Sequence, residues 1–374
     1  MEKFFTKKFW ATTFTLTGTI IGAGILGLPY VFSQSGFWIG MFWLIFLGII
    51  MIYVSLCLGE TVLRTKKDRQ LPGLAKKYLG KTGQFLMFFA VIFGIYSALL
   101  AYLIGESQSL SMIFTGSLDY SIYFAIGFWL LMTIGLREGL KGLKKVETWG
   151  VLAILTIILI ITISYLPKIN YENLTYINLP NFFLPFGVVL FALLGFASIP
   201  ELELEIKGKE KKLKRAIILG VLIPIIVYAI FSFIFVGVLG SNVPQVATLG
   251  LGKLVILLGI FTMLTSYFAL SFALKDVFKF DLNLPPSSNL LLISIIPILA
   301  YLILYFFNFL SFIMILGIGG VISGGITAIL ILFIAKNAKT KGNRKPEYEI
   351  PINYPIIIFL SLIFVLGIIF ELFF

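Results

Sequence analysis

Residues 17–30 read TGTIIGAGILGLPY. The run is apolar enough to cross a bilayer, yet it carries Gly22, Gly24 and Gly27 and then Pro29. Glycine costs about 1 kcal/mol in a helix interior and proline removes a backbone donor, so a helix is expected to open here. In hydrocarbon, freed N–H and C=O groups persist only where protein or a polar cavity satisfies them. The stretch therefore predicts a polar site in the middle of a membrane helix. A second stretch, LFALLGFASIPE at 190–201, repeats the device: GILGLP from Gly24 to Pro29 and GFASIP from Gly195 to Pro200 share one glycine-to-proline spacing.

The chain around them has 374 residues, 59% of them hydrophobic and 12% charged. Soluble domains run at about half and a quarter, so a single core would not hide this much apolar surface. About eleven runs long enough to span some 30 Å of hydrocarbon recur, at 9–34, 37–63, 83–114, 120–136, 146–166, 182–202, 216–239, 251–274, 288–306, 309–335 and 353–373. None alternates with period two, which argues against a barrel. The basic start MEKFFTKKFW leads into a run too long for a signal peptide and without a small-residue cleavage site, so it reads as the first span. The fold class expected is an all-α membrane protein.

Lys and Arg cluster before span one and in 64–81, 137–145, 207–215, 275–279 and 336–345, leaving only Lys168 and Lys253 on the other side. The positive-inside rule then puts the N-terminus inside, the C-terminus outside and the chain in the plasma membrane. The net charge of +12 is accounted for by orientation against anionic lipid, with no nucleic-acid partner needed. With no histidine and one cysteine, Cys57, inside a span, internal disulfides and Cys/His metal sites are excluded. Lacking imidazole and paired intramembrane aspartates, the chain does not read as an enzyme.

Two broken helices at matched positions, each opening a block of five spans, predict an inverted repeat: 9–166, then 182–335 in opposite topology, with 353–373 as an accessory helix. At GAGILGLPY, FALLGFASIPE and TSYFALSFALKD the sequence resembles the amino acid–polyamine–organocation superfamily with the LeuT fold, above all its amino acid/auxin and hydroxy/aromatic amino acid permease branches. The resemblance covers 9–335. It implies that a substrate carboxylate sits on the amides of Gly22, Ala23 and Gly24, with Thr19 beside them. The carbonyls of Ala192, Leu193 and Leu194 would take its ammonium, and Phe196 would wall the side-chain pocket. Physics agrees for the carboxylate, because a helix N-terminus offers unpaired donors and a positive dipole end.

The resemblance also implies a tyrosine over the substrate carboxylate, for which Tyr102 fits. Glu106, four residues on, shares its helix face. It reads either as a candidate proton carrier or, since SQSLS follows, as a residue at the wet end of the helix. Sodium would lie on the carbonyls of Gly18, Ile21 and Thr262 and the hydroxyls of Thr265 and Ser266, although such hydroxyls also back-bond within their own helix. Proton-coupled relatives place a lysine from span five there; this span has none beyond its edge at Lys144 and Lys145. Glu201 is a second candidate proton carrier.

Other charges read as structural. Glu60 and Arg64 look like a surface i, i+4 pair, Glu203 and Glu205 border the basic loop 207–215, and Asp276 is a candidate inner latch to Lys7 or Lys8. The expected function is cation-coupled symport of a neutral amino acid, sodium slightly favoured and no other cofactor needed, in a bilayer whose lipids are its other partners. A proton-coupled permease or exchanger, and a non-transporting amino acid sensor on the same fold, are the alternatives.

Overall fold

The computed structural model describes residues 7–66, 70–138, 143–280 and 285–373; the side chains of 138, 143–153, 276, 280, 286 and 287 lie outside it. The Asp276 latch and the span-five edge at Lys144 and Lys145 therefore fall outside the described side chains.

The chain is a membrane protein built of helices, and its described residues contain no strand. In order they are α1 (Lys7–Ile20), α2 (Gly24–Ser35), α3 (Phe37–Leu63), α4 (Leu71–Thr115), α5 (Ser121–Glu138), α6 (Leu143–Tyr165), α7 (Leu184–Ala192) and α8 (Ile199–Glu205). There follow α9 (Leu213–Leu239), α10 (Lys253–Phe280), α11 (Pro286–Phe306), α12 (Phe312–Gly319), α13 (Ile326–Lys341) and α14 (Tyr354–Phe373). Among the described residues, eight helical segments are long and apolar enough to cross a bilayer and the bent α1–α2 pair makes a ninth. Two shorter apolar helices, Ser121–Arg137 and Ile154–Lys168, occupy the remaining expected segments.

Each interruption has a local cause. Gly80 takes φ 79°, ψ −164°, separating the amphipathic start of α4 from its apolar span. A π-helical stretch, Gly320–Gly325, joins α12 to α13 where the sequence reads GIGGVISGG. It packs on α7 and α14, and side chains at Gly319 and Gly320 would run into Phe191 and the α7 backbone. Close backbone approach of this kind is what small residues permit in membranes.

The long α4 is the hub, packing on α10, α13, α5, α12 and α11, while α1 lies on α9, α6 and α8, and α2 on α7, α9 and α3. Exposed Phe, Ile and Leu side chains on α3, α5, α11 and α14, such as Ile49, Leu131, Ile303 and Phe359, form the surface suited to acyl chains.

The Glu60–Arg64 pair departs from its reading as a surface pair. Glu60 is 3% exposed. Its Oε1 accepts from Arg64 Nε at 2.7 Å and Lys339 Nζ at 2.6 Å, and its Oε2 accepts from the Ile350 amide at 2.6 Å. Arg64 also reaches Glu349 at 2.8 Å, so α3, α13 and the segment before α14 are fastened through one carboxylate. Helical periodicity exposes the i, i+4 spacing but not the chain that folds back over it.

Removing the charge of a buried carboxylate while leaving its cations in place is strongly destabilising, by about 3 kcal/mol. Glu60→Gln is expected to lower the melting temperature of the purified protein, read by thermal unfolding in lipid nanodiscs; an unchanged transition would mean that the network contributes nothing.

Candidate functional site

The first break covers residues 21–23 and bends α1 against α2 by 57°. Ala23 is the N-cap of α2 with no side-chain cap, and Leu26 N–H turns back to the Ala23 carbonyl at 3.0 Å. Pro29 sits inside α2. The second break begins after Ala192. Gly195 takes φ −149°, ψ 7°, and a 3₁₀ turn, Phe196–Ser198, leads into α8 with Pro200 in its first turn. Ser198 Oγ donates to the Gly195 carbonyl at 3.0 Å, satisfying one freed acceptor.

The two breaks meet. A Cβ on Gly24 would collide with Cα and Cβ of Ala192, so only glycine lets the start of α2 rest on the end of α7. Gly195 receives Ile20 and Leu16 of α1 in the same manner. Tyr228 of α9, fully buried, places its hydroxyl 2.7 Å from the Ile20 carbonyl and 2.9 Å from the Ala192 carbonyl. These are the last helical carbonyls of α1 and α7, two groups left without intrahelical partners. One hydroxyl proton serves two acceptors, so each keeps capacity for a further donor.

On the other side of the first break stands Tyr102, 4% exposed. Its hydroxyl takes hydrogen bonds from the Ser266 side chain and the Ala23 backbone, and a Cβ on Gly22 would stand only 2.9 Å from that oxygen. Gly22, Ala23, Gly24, Tyr102, Ser266 and Ala192 thus form one constellation. Ala192, Leu193 and Phe196 are buried beside it. Leu194 turns its side chain toward Gly324 in the π-helical stretch. Thr19 is exposed, its hydroxyl bonded back to the Thr15 carbonyl at 2.9 Å.

The proposed cation ligands are less closely joined. Thr262 Oγ1 donates to the carbonyls of Leu258 and Gly259, and Thr265 Oγ1 to those of Phe261 and Thr262. Thr265 Oγ1 thus keeps lone pairs for a cation, while the Thr262 carbonyl, the group of that residue named as a ligand, already accepts one hydrogen bond. The carbonyls of Gly18 and Ile21 belong to α1 and the break, and α1 packs chiefly on α9, α6 and α8. Of the two carboxylates, Glu201 is exposed in the first turn of α8. Glu106 is 0% exposed, so it does not occupy a wet helix end.

Sequence comparison adds the family to this geometry. The sequence profile of the tryptophan/tyrosine permease family matches residues 5–250, which includes both breaks, Tyr102 and Tyr228. The chain belongs to this family.

Among its relatives are glutamine transporter 2 of Aliivibrio fischeri, 26% identical over 244 residues, covering 63% of this chain and 62% of that protein. Tyrosine-specific transport system 1 of Haemophilus influenzae is 26% identical over 241 residues, 63% of this chain and 59% of the relative. Amino acid transporter AVT1H of Arabidopsis thaliana is 24% identical over 220 residues, 57% and 51%. The chain thus spans about three-fifths or less of the length of these curated relatives.

Two parts of this family member escape the sequence reading. Tyr228 lies in an otherwise apolar span, IVYAIF, and only its position against two helix ends gives it a role. Glu371, in α14, lies where a Cβ on Gly187 or Gly317 would fall, between α7 and α12. A lone carboxylate in an apolar span was the signal available for it.

A methyl group at Gly24 has to push α2 off α7. Gly24→Ala is expected to cost about 1–3 kcal/mol of stability with helix content unchanged, measured by thermal unfolding in nanodiscs and circular dichroism. Tyr228→Phe strips two buried carbonyls of their donor, a loss of about 1–3 kcal/mol. Wild-type stability and uptake in that variant would show that the bridge is incidental.

Proposed function

We propose that this member of the tryptophan/tyrosine permease family is a secondary active carrier of a neutral amino acid, working by cation-coupled symport. The carrying observation is the meeting of the two breaks: amides at Gly22, Ala23 and Gly24 on one side, the Ile20 and Ala192 carbonyls on the other. A zwitterion presents a carboxylate to such donors and an ammonium to such acceptors. The Tyr102 hydroxyl, bonded to the Ala23 backbone, stands where a bound carboxylate would compete for the same amide. Ala192, Leu193 and Phe196 carry no charge, which favours a neutral side chain, and the relatives named for glutamine and tyrosine are consistent with that class.

The way the inner half-helices are tied supports a reading of alternating access. Thr15 Oγ1 donates to Glu205 at 3.1 Å and Lys8 Nζ to the Lys207 carbonyl at 3.1 Å, joining α1 to the far end of α8. Arg344 holds α8 to the segment before α14 through Glu203 at 3.3 Å. We therefore read α1 and α8 as one moving unit, in a five-plus-five inverted repeat over 9–166 and 182–335 with 353–373 accessory. The distribution of Lys and Arg supports placing the basic end inside the cell and the C-terminus outside, and the plasma membrane is the membrane we propose.

Sodium is the coupling ion we favour, on the carbonyls of Gly18, Ile21 and Thr262 and the hydroxyls of Thr265 and Ser266. Neutral oxygens suit a hard monovalent cation. The second reading is proton coupling, and the observation favouring it is Glu106, an acidic side chain buried in the span that carries Tyr102.

Uptake of an amino acid panel into proteoliposomes, with sodium and proton gradients imposed separately, tests the assignment. Sodium-driven uptake is expected, with Thr265→Ala/Ser266→Ala raising the sodium concentration needed. Uptake driven by a pH gradient alone and lost in Glu106→Gln would transfer the coupling to the carboxylate. Binding without counterflow of labelled substrate would make the protein a sensor instead.

A further inference from the structure

Glu371, in the last turn of α14, is a carboxyl to which the transport reading gives no role. Its oxygens lie in a notch between Gly187 of α7 and Gly317 of α12, in the space that a Cβ on either glycine would need. A Cβ on Gly187 would also stand 2.8 Å from Gly317 Cα, so the two backbones close the notch. The backbone of Gly187 hydrogen-bonds to the carboxyl. Around this contact the last two turns of α14 grip the first turn of α7. The rings of Phe370 and Phe183 stack at 3.8 Å, and Gly367 leaves room for the ring of Phe186. Trp43 of α3 meets Phe186 from another helix, at 5.0 Å.

A carboxyl in an apolar span is costly, and an apolar side chain would fill the notch without that cost. What the carboxyl adds is a bond to α7. That helix has no side-chain cap of its own, and Pro185 in its first turn contributes no N–H. An acidic group at this end meets the positive pole of the helix dipole as well as the Gly187 backbone. α7 is nine residues long and ends at Ala192, whose carbonyl Tyr228 bridges to that of Ile20. From Gly187 to Ala192 is about 7.5 Å along the axis, so a shift at one end of so short a rod is carried to the other. We propose that Glu371 is a positioning residue: by holding the first turn of α7 it fixes where the Ala192 carbonyl stands at the break. The inference rests on the transport reading and adds to it a part for α14, which lies outside the break constellation.

Backbone amide exchange of the full chain in nanodiscs, followed peptide by peptide, tests the clamp without any ligand. Glu371→Leu fills the notch but accepts no hydrogen bond, and Glu371→Ala leaves the notch open. Each is expected to speed exchange across α7 about five- to tenfold, with α9 and α13 unchanged. Glu371→Gln keeps an acceptor oxygen and should exchange like the parent. Parental exchange of α7 in the Leu and Ala variants, an equal rise across all helices, or a Gln variant that behaves like the Leu variant would each overturn the proposal. On the same preparations, uptake of a radiolabelled amino acid panel reads the site itself. The half-saturating concentration should rise about five- to tenfold in Glu371→Leu at an unchanged maximal rate, and return to the parental value in Glu371→Gln. Faster α7 exchange with parental half-saturation would make the clamp merely structural and remove the positioning role. Uptake of no amino acid by the parent, with the α7 exchange response present, counts against the transport reading alone.

Discussion

Everything at the centre of this molecule follows from backbone polar groups that two helices release inside an apolar interior. Opening a helix leaves amides at one lip and carbonyls at the other, and in hydrocarbon none of them has water to turn to. Protein groups answer most of that need. The Tyr228 hydroxyl bridges the carbonyls of Ile20 and Ala192, Ser198 serves the Gly195 carbonyl, and the Tyr102 hydroxyl takes the Ala23 amide. These partners are single hydroxyls, and that of Tyr228 is divided between two carbonyls, so those acceptors are left unsaturated. Such unsaturated donors and acceptors are what the proposed binding of a zwitterion rests on.

The same breaks decide how tightly the surrounding helices pack. Gly24 on Ala192 and Gly195 on Ile20 bring α2, α7 and α1 into contacts that a methyl group would forbid. The glycine-rich stretch of α12, the π-helical turn and α13 does the same against α7. Into this crowded region α14 inserts the carboxylate of Glu371 against Gly187 and Gly317. At the basic end, cohesion is ionic instead: Glu60 collects two cations and an amide, and Arg344 binds Glu203 and Glu347. At that end α1 is also tied to α8 and the residues after it, through Thr15 to Glu205 and Lys8 to the Lys207 carbonyl.

The family and the fold class were open to reading from the primary structure because both rest on local signals. Apolar runs of membrane length locate the helices, and the expected 37–63 coincides with α3. Glycine and proline punctuate TGTIIGAGILGLPY and GFASIP where the helices stop. Gly22, Ala23, Gly24 and Ala192, named with the breaks, and Tyr102, named from the family resemblance, lie near one another in the fold. Outcomes differ where three-dimensional surroundings decide. Glu106, which SQSLS made look hydrated, is sealed under α5 and α10; Glu201, next to a break, is exposed; and Glu60, at an apparent surface, lies beneath the segment that precedes α14.

What the amino-acid order determined by itself is where the backbone leaves helical geometry, because glycine and proline act through their own covalent structure and the hydrocarbon penalty is the same for any fold. Which side chain meets a freed carbonyl, and which carboxylate is buried, was decided only when distant helices packed. Tyr228 is 208 residues from Ile20, Glu60 is 290 from Ile350, and nothing in the period of either helix encodes the other. Hydrogen bonds act over about 3 Å, so their partners are fixed by tertiary proximity and not by spacing along the chain.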